Sequence, residues 1–142
     1  MFLLTIPELV ATFLGIYIGF ALTRWVGFVR DWKRAKQALK YIKEELEFNQ
    51  GKIKNMQKLD KRIFTQFKTN SWHVFSEKIS VLDFDLVSKL GVLYHIFQQA
   101  NEVAKIPPSK LETNWKEDME TISSMIQYLI DRIDKELNIK KE

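Results

Sequence analysis

"LVATFLGIYIGFALT", Leu9–Thr23, holds no charged residue, and its reading decides the fold. Thr5 and Glu8 before it have capping-box spacing, and Pro7 sits in a first turn, where its missing N–H costs nothing. A helix is predicted to start near Ile6. Allowing Glu8 and Arg24 within its two ends, the apolar segment from Ile6 to Val26 runs about 20 residues, or about 30 Å at 1.5 Å per residue, the thickness of a bilayer's hydrocarbon core. A cleaved signal peptide needs a basic start, and "MFLLT" has none. A buried core helix needs a large soluble partner around it. A retained transmembrane helix needs only a bilayer, and it is the reading adopted.

The flanks orient the span. No Lys or Arg precedes it. After it come Arg24, Arg30, Lys33, Arg34, Lys36, Lys40 and Lys43, with Asp31 as the sole acid before Glu44. The positive-inside rule places the N-terminus outside and the rest in the cytoplasm. The expected location is the cell membrane, single-pass, with residues 1–29 as a transmembrane anchor and 30–142 as a cytoplasmic helical bundle. Arg24, Trp25, Arg30, Trp32, Lys33 and Arg34 form the expected lipid-headgroup set, since tryptophan among cations suits that layer.

"GIYIG" at Gly15–Gly19 places two glycines one turn apart, although glycine destabilises a helix interior by roughly 1 kcal/mol. Steps of four extend the pair to Ala11, Gly15, Gly19, Thr23 and Gly27. Five small residues on one face let a second helix approach closely, which lipid chains do not require. Other faces carry bulky Leu9, Phe13, Ile16 and Phe20. The stripe is read as a helix–helix packing face; the alternative is that glycine is simply common in membrane helices.

Beyond the span, glycine and proline are scarce, with five and three in the whole chain, which favours helices. The fold expected is all-α. A 3–4 apolar spacing runs Phe28, Trp32, Ala35, Leu39, Ile42, Leu46, Asn49, Ile53, Met56, Asp60, Ile63, Phe67. This heptad pattern predicts a coiled-coil-like helix, continuous with the span, ending near Thr69. Gly51 is a weak point. Asn49 either sets register against a partner helix or is an exposed residue on a drifting stripe. "TNSWHVFSEKIS" reads as a short helical turn or loop with Trp72 and Phe75 tucked against the bundle. Asp83 or Asp85 caps a helix carrying Leu86, Leu90, Leu93 and Phe97. A Ser109–Glu112 capping box opens a last helix with Trp115, Met119, Ile122, Ile126, Leu129, Ile133 and Leu137 on one face. Cytoplasmic helices of about 40, 20 and 30 residues fit a small antiparallel bundle, with part of the first helix left to pair with another subunit.

"GFALTRW", "ALKYIKEELEFNQGKI" and the spaced Trp72, Tyr94, Ile96 and Asn101 together resemble uncharacterised prokaryotic single-span membrane proteins with a small helical cytoplasmic domain. The resemblance implies this architecture and carries no activity or site residue.

The chemistry expected is sparse. Cysteine is absent, which excludes disulfides, thiol catalysis and zinc thiolate or iron–sulfur sites. His73 and His95 have no HExxH or related spacing, and no phosphate-binding or nucleophile motif is present. No catalytic residue, metal site or cofactor is assigned, and an enzyme is not expected. Basic residues concentrate between Arg24 and Lys68. Nucleic-acid binding is the weaker reading of them, and topology with anionic lipid the stronger. The partners expected are membrane lipids and either copies of the chain or another membrane protein; no small-molecule substrate is evident. Two functions compete: a membrane-anchored interaction or scaffold subunit assembling through its membrane and juxtamembrane helix, and a homo-oligomeric channel or membrane-permeabilising protein. The span lacks a polar pore-lining stripe, which favours the first.

Overall fold

In the computed structural model, which describes residues 5–59, 66–105 and 115–138, the described residues form helices and short connections without a strand. Helix α1 (Ile6–Leu59) starts where the cap is expected. The Thr5 backbone N–H and hydroxyl both donate to Glu8 Oε2, at 2.8 and 2.9 Å, closing the end of the helix as a capping box does. No residue interrupts α1 through Gly27 or Gly51, so Gly51 is not a break.

The apolar spacing becomes burial from Trp32 onward. Ala35, Leu39, Ile42, Leu46 and Ile53 are fully buried, and Met56 is nearly so. Phe28, the first member of the pattern, stays 45% exposed. Asp60 and Ile63 lie outside the described residues. Phe67 is buried as expected, but not on α1. Residues 66–69 are non-helical, and Thr69 is the N-cap of α2 (Asn70–Phe75) rather than the end of α1. A 3-10 turn at Lys78–Val81 follows, then α3 (Phe84–Ala104) and α4 (Trp115–Asn138). The expected start of the last helix at Ser109–Glu112 lies outside the described residues.

Directions follow from cross-helix pairs. Lys36 Nζ donates to the Leu137 carbonyl, Lys43 pairs with Asp134 and Gln50 with Gln127. Positions on α4 fall as those on α1 rise, so the two run oppositely. Asp85 with Arg132 and Lys89 with Tyr128 relate α3 and α4 in the same way. Helix α3 therefore runs with α1, not against it as alternating helices would require. The return path alongside α1 is instead the short segment 66–81: Ser71 lies level with Glu45, and Phe75 stacks on Tyr41 at 5.1 Å.

The core lies between α1, the turn and α2 on one side and α3 with α4 on the other. The α3 residues Leu86, Leu90, Leu93 and Phe97 and the α4 residues Ile126, Leu129 and Ile133 fill it as their spacing predicts. Asp83 caps α3, its Oδ1 accepting from Asp85 N at 3.0 Å. The same two aspartates hold Arg132, at 3.1 and 3.2 Å. Capping and pairing thus account for both carboxylates.

Candidate functional site

Two features stand apart from ordinary core packing: an uncovered apolar helix and a polar clasp around the return segment. Helix α1 is long and apolar enough to cross a membrane. From Ile6 to Val26 every residue is exposed. Phe13, Ile16, Tyr17 and Phe20 lack cover as completely as the small residues between them. Ala11, Gly15, Gly19 and Thr23 are exposed, and Gly27 is half-buried. A Cβ added at Gly15, Gly19 or Gly27 would meet nothing within 4 Å. The Thr23 hydroxyl donates to the Gly19 carbonyl at 2.8 Å, so the one polar member of the stripe is satisfied within its own helix.

The stripe and the bundle use different sides of α1. Counting about 100° of rotation per residue, the centre of the buried set from Trp32 to Met56 lies roughly 150° around the helix from the centre of the stripe. A helix docked on the stripe would therefore approach α1 from the side away from the bundle.

The basic collar is divided. Trp25 is exposed beside Arg30, Lys33 and Arg34 on one flank of α1, and the Arg24 guanidinium lies 5.2 Å from the Phe20 ring centre. Trp32 departs from the expected headgroup set. It is only 8% exposed, with the Lys36 ammonium 3.9 Å from its ring centre. The heptad spacing that also claims Trp32 places it on the face covered by the bundle, so its ring belongs to the core.

The clasp was not legible in the sequence. Residue Asn49 is fully buried, yet it faces neither a partner helix nor solvent. Its Nδ2 donates to the Lys68 carbonyl and its Oδ1 accepts from Lys68 N, both at 2.9 Å. On α3, Asn101 does the same for Phe67: Oδ1 accepts from Phe67 N at 2.7 Å and Nδ2 donates to its carbonyl at 2.9 Å. Successive residues with their N–H and C=O turned to opposite sides mark a locally extended chain. Two carboxamides stand here where neighbouring strands would stand in a sheet. Lys52 Nζ donates to the Gln66 carbonyl. Glu45, nearly buried, accepts from Ser71 N at 3.0 Å and from the Tyr94 hydroxyl at 2.8 Å. Thr69 makes no side-chain cap for α2, and Glu45 supplies an acceptor to that N-terminus instead. Burial foremost, then the Glu45 carboxylate, pushes the Tyr94 hydroxyl's pKa far up, so Tyr94 is a neutral donor. Burial and the Lys68 charge hold Lys52 below the ordinary lysine value.

Trp72, Tyr94 and Asn101, noted in the sequence for their spacing, come together around this clasp. Trp72 stacks on Tyr94 with ring centres 5.1 Å apart. Its indole lies 3.4 Å from where a Cβ at Gly91 would stand, an ordinary van der Waals distance. His73 and His95 are exposed on separate elements. Helices α3 and α4 also flank two shallow apolar grooves, of about 570 and 370 Å³, around Val92, Met125 and Tyr128 and around Val103, Trp115 and Met119.

No family model matches this sequence, and no curated protein or solved structure is significantly similar to it.

Proposed function

We propose that the protein is a membrane-anchored helical interaction subunit. In this reading α1 crosses the bilayer once with its N-terminus outside, holds the helical bundle at the cytoplasmic face, and packs its small-residue stripe against a second membrane helix. The carrying observation is the abrupt change of environment along one helix: no cover from Ile6 to Val26, and deep burial from Trp32 on. An apolar surface of that length is unfavourable in water, whereas lipid or another helix satisfies it. The cations from Arg24 to Lys43 set the orientation and attract anionic lipid. The opposed placement of stripe and bundle supports a second copy as the packing partner, because two chains can meet through their stripes with both bundles outward.

Three measurements test this. A reporter active only in the cytoplasm, fused to Glu142, is expected to be active; a silent, well-expressed fusion overturns the orientation. Assembly mass in mild detergent is expected to fall for Gly19→Ile and to hold for Ile18→Leu on a neighbouring face. Equal assembly of the two variants removes the packing role of the stripe. Ion conductance by purified protein in liposomes would replace the subunit reading with the channel reading.

A further inference from the structure

We propose that Arg30, Lys33 and Arg34 form a site for the phosphate of an anionic phospholipid, and that filling this site lets two copies of the chain pack through the small-residue stripe. This rests on the reading of α1 as a membrane span packed through that stripe, and adds what controls the packing.

The site follows from angular position. At about 100° of rotation per residue, the centre of Arg30, Lys33 and Arg34 falls within about 20° of the centre of the stripe. The stripe therefore runs straight into three cations where α1 leaves its uncovered segment. Asp31, the sole acid between Arg24 and Lys43, stands about 120° around the helix from the stripe's centre. It meets Arg30 in a loose exposed pair, Nε to Oδ1 at 3.9 Å, of the kind that contributes little. Lys33 and Arg34 are exposed and make no ion pair among the described residues.

The surroundings of the cations suit a lipid rather than a soluble anion. Trp25, Val26 and Val29 join them in lining a shallow hollow of about 390 Å³. The apolar side chains lie toward the uncovered segment and the cations toward the bundle. A phospholipid has the same order, acyl chain then phosphate, at the edge of a bilayer. Guanidinium forks hold a phosphate bidentately, while a soluble anion would leave the apolar wall unused.

Pairing of two copies makes the site a control point. Helices joined through small residues cross at about 40°. Arg30 lies 11 residues beyond Gly19, roughly 16 Å along the axis. Axes about 8 Å apart at a crossing near Gly19 have therefore diverged to about 14 Å at Arg30. The three cations of each chain then face those of the other across a wedge. Their repulsion opposes the contact at the stripe, and a lipid phosphate seated in the wedge replaces it with attraction to both chains.

The chain has no cysteine of its own, so full-length protein carrying Ser88→Cys, at an exposed position of α3, takes a single donor or acceptor dye. Energy transfer between chains in vesicles then reads association. Wild type is expected to associate about 10-fold or more tightly in phosphatidylcholine vesicles containing about a third of phosphatidylglycerol than in phosphatidylcholine alone. Combined Arg30→Gln, Lys33→Gln and Arg34→Gln should associate in phosphatidylcholine more tightly than wild type does, and should respond to phosphatidylglycerol by less than about 2-fold. Removing equal charge elsewhere, by Lys54→Gln, Lys58→Gln and Lys78→Gln, should leave the wild-type response intact. A wild type indifferent to phosphatidylglycerol overturns the proposal, as does a control variant that loses the response. Soluble glycerol phosphate promoting association over phosphatidylcholine as strongly as phosphatidylglycerol does overturns the lipid as ligand. Gly19→Ile keeps the two failures apart. If it abolishes association while wild type ignores phosphatidylglycerol, the stripe stands and the lipid site falls; if it associates as wild type does, the stripe itself falls. Should the triple variant not insert, salt takes its place. Screening relieves repulsion between exposed charges, so wild type in phosphatidylcholine should associate more tightly as salt rises, and no change or a weakening overturns the proposal.

Discussion

The two ends of α1 obey one helical geometry and meet opposite surroundings. From Ile6 to Val26 bulky and small residues alike are uncovered; from Trp32 to Met56 a stripe of the same apolar types is closed off by α4, the 3-10 turn and α2. Backbone hydrogen bonding cannot account for the difference, since both ends satisfy it within the helix. The distribution of charge does. The upper end has apolar residues all round, which suits lipid. The lower end confines them to one side and puts Lys40, Glu44 and Glu47 on the other, which suits a bundle in water. The angular width of the apolar surface thus distinguishes the uncovered end of α1 from the covered one.

The largest expected effect breaks the covered end. Leu39→Ala should destabilise the bundle by about 2–5 kcal/mol in denaturant titration, because a fully buried side chain leaves a cavity. Leu14→Ala at the uncovered end should change the same transition by less than about 0.5 kcal/mol. Equal losses would erase the distinction between the two ends. Next comes the polar lining of the covered end. Tyr94→Phe removes a donor from buried Glu45, and a loss of roughly 1–3 kcal/mol is expected by the same titration. Gly19→Ile sharpens the comparison from the other side: with open space at its Cβ, bundle unfolding should stay within about 0.5 kcal/mol of wild type while assembly mass falls.

The smallest effect is a pH dependence at the corner between α3 and α4. The Lys89 hydrogen bond foremost, and then Arg132, hold the Asp85 carboxyl below its ordinary value. Folded Asp85 therefore binds its proton less readily than the unfolded chain does. Its small contribution should be complete above the ordinary aspartate range and fade as pH falls through and below that range. Comparing wild type with Asp85→Asn by thermal melts from neutral pH to about pH 3 checks the sign. A gap between the two that widens on acidification contradicts it.

Sequence periodicity located α1, its cap, the Asp83 cap and the faces of α3 and α4, because each is a local pattern. It failed at Phe67 for a physical reason. Ile63 and Phe67 continue the 3–4 spacing of α1, and a residue reaching the core by folding back has the same spacing as one reaching it along a helix. Asn49 stands out as polar in an apolar stripe, but its partners are backbone atoms 19 positions away. Asn101 serves atoms 34 positions away, and spacing carries no trace of such pairings. Trp32 answered to two patterns, headgroup tryptophan and heptad core, and only the packed structure separates them.

The continuity of α1 has a mechanical consequence. Its 54 residues form one rod of roughly 80 Å with no internal proline after Pro7. On the proposed reading, which seats its upper end in a bilayer, the rod would be a lever whose fulcrum lies near Arg24. The arm from there to Leu59 is about 50 Å, so a change in tilt of about 10°, such as a thinner bilayer imposes, carries the far end roughly 9 Å sideways. The bundle, clasped to that arm by Lys43, Asn49 and Gln50, would travel with it, so that on the proposed reading bilayer thickness sets the bundle's sideways position.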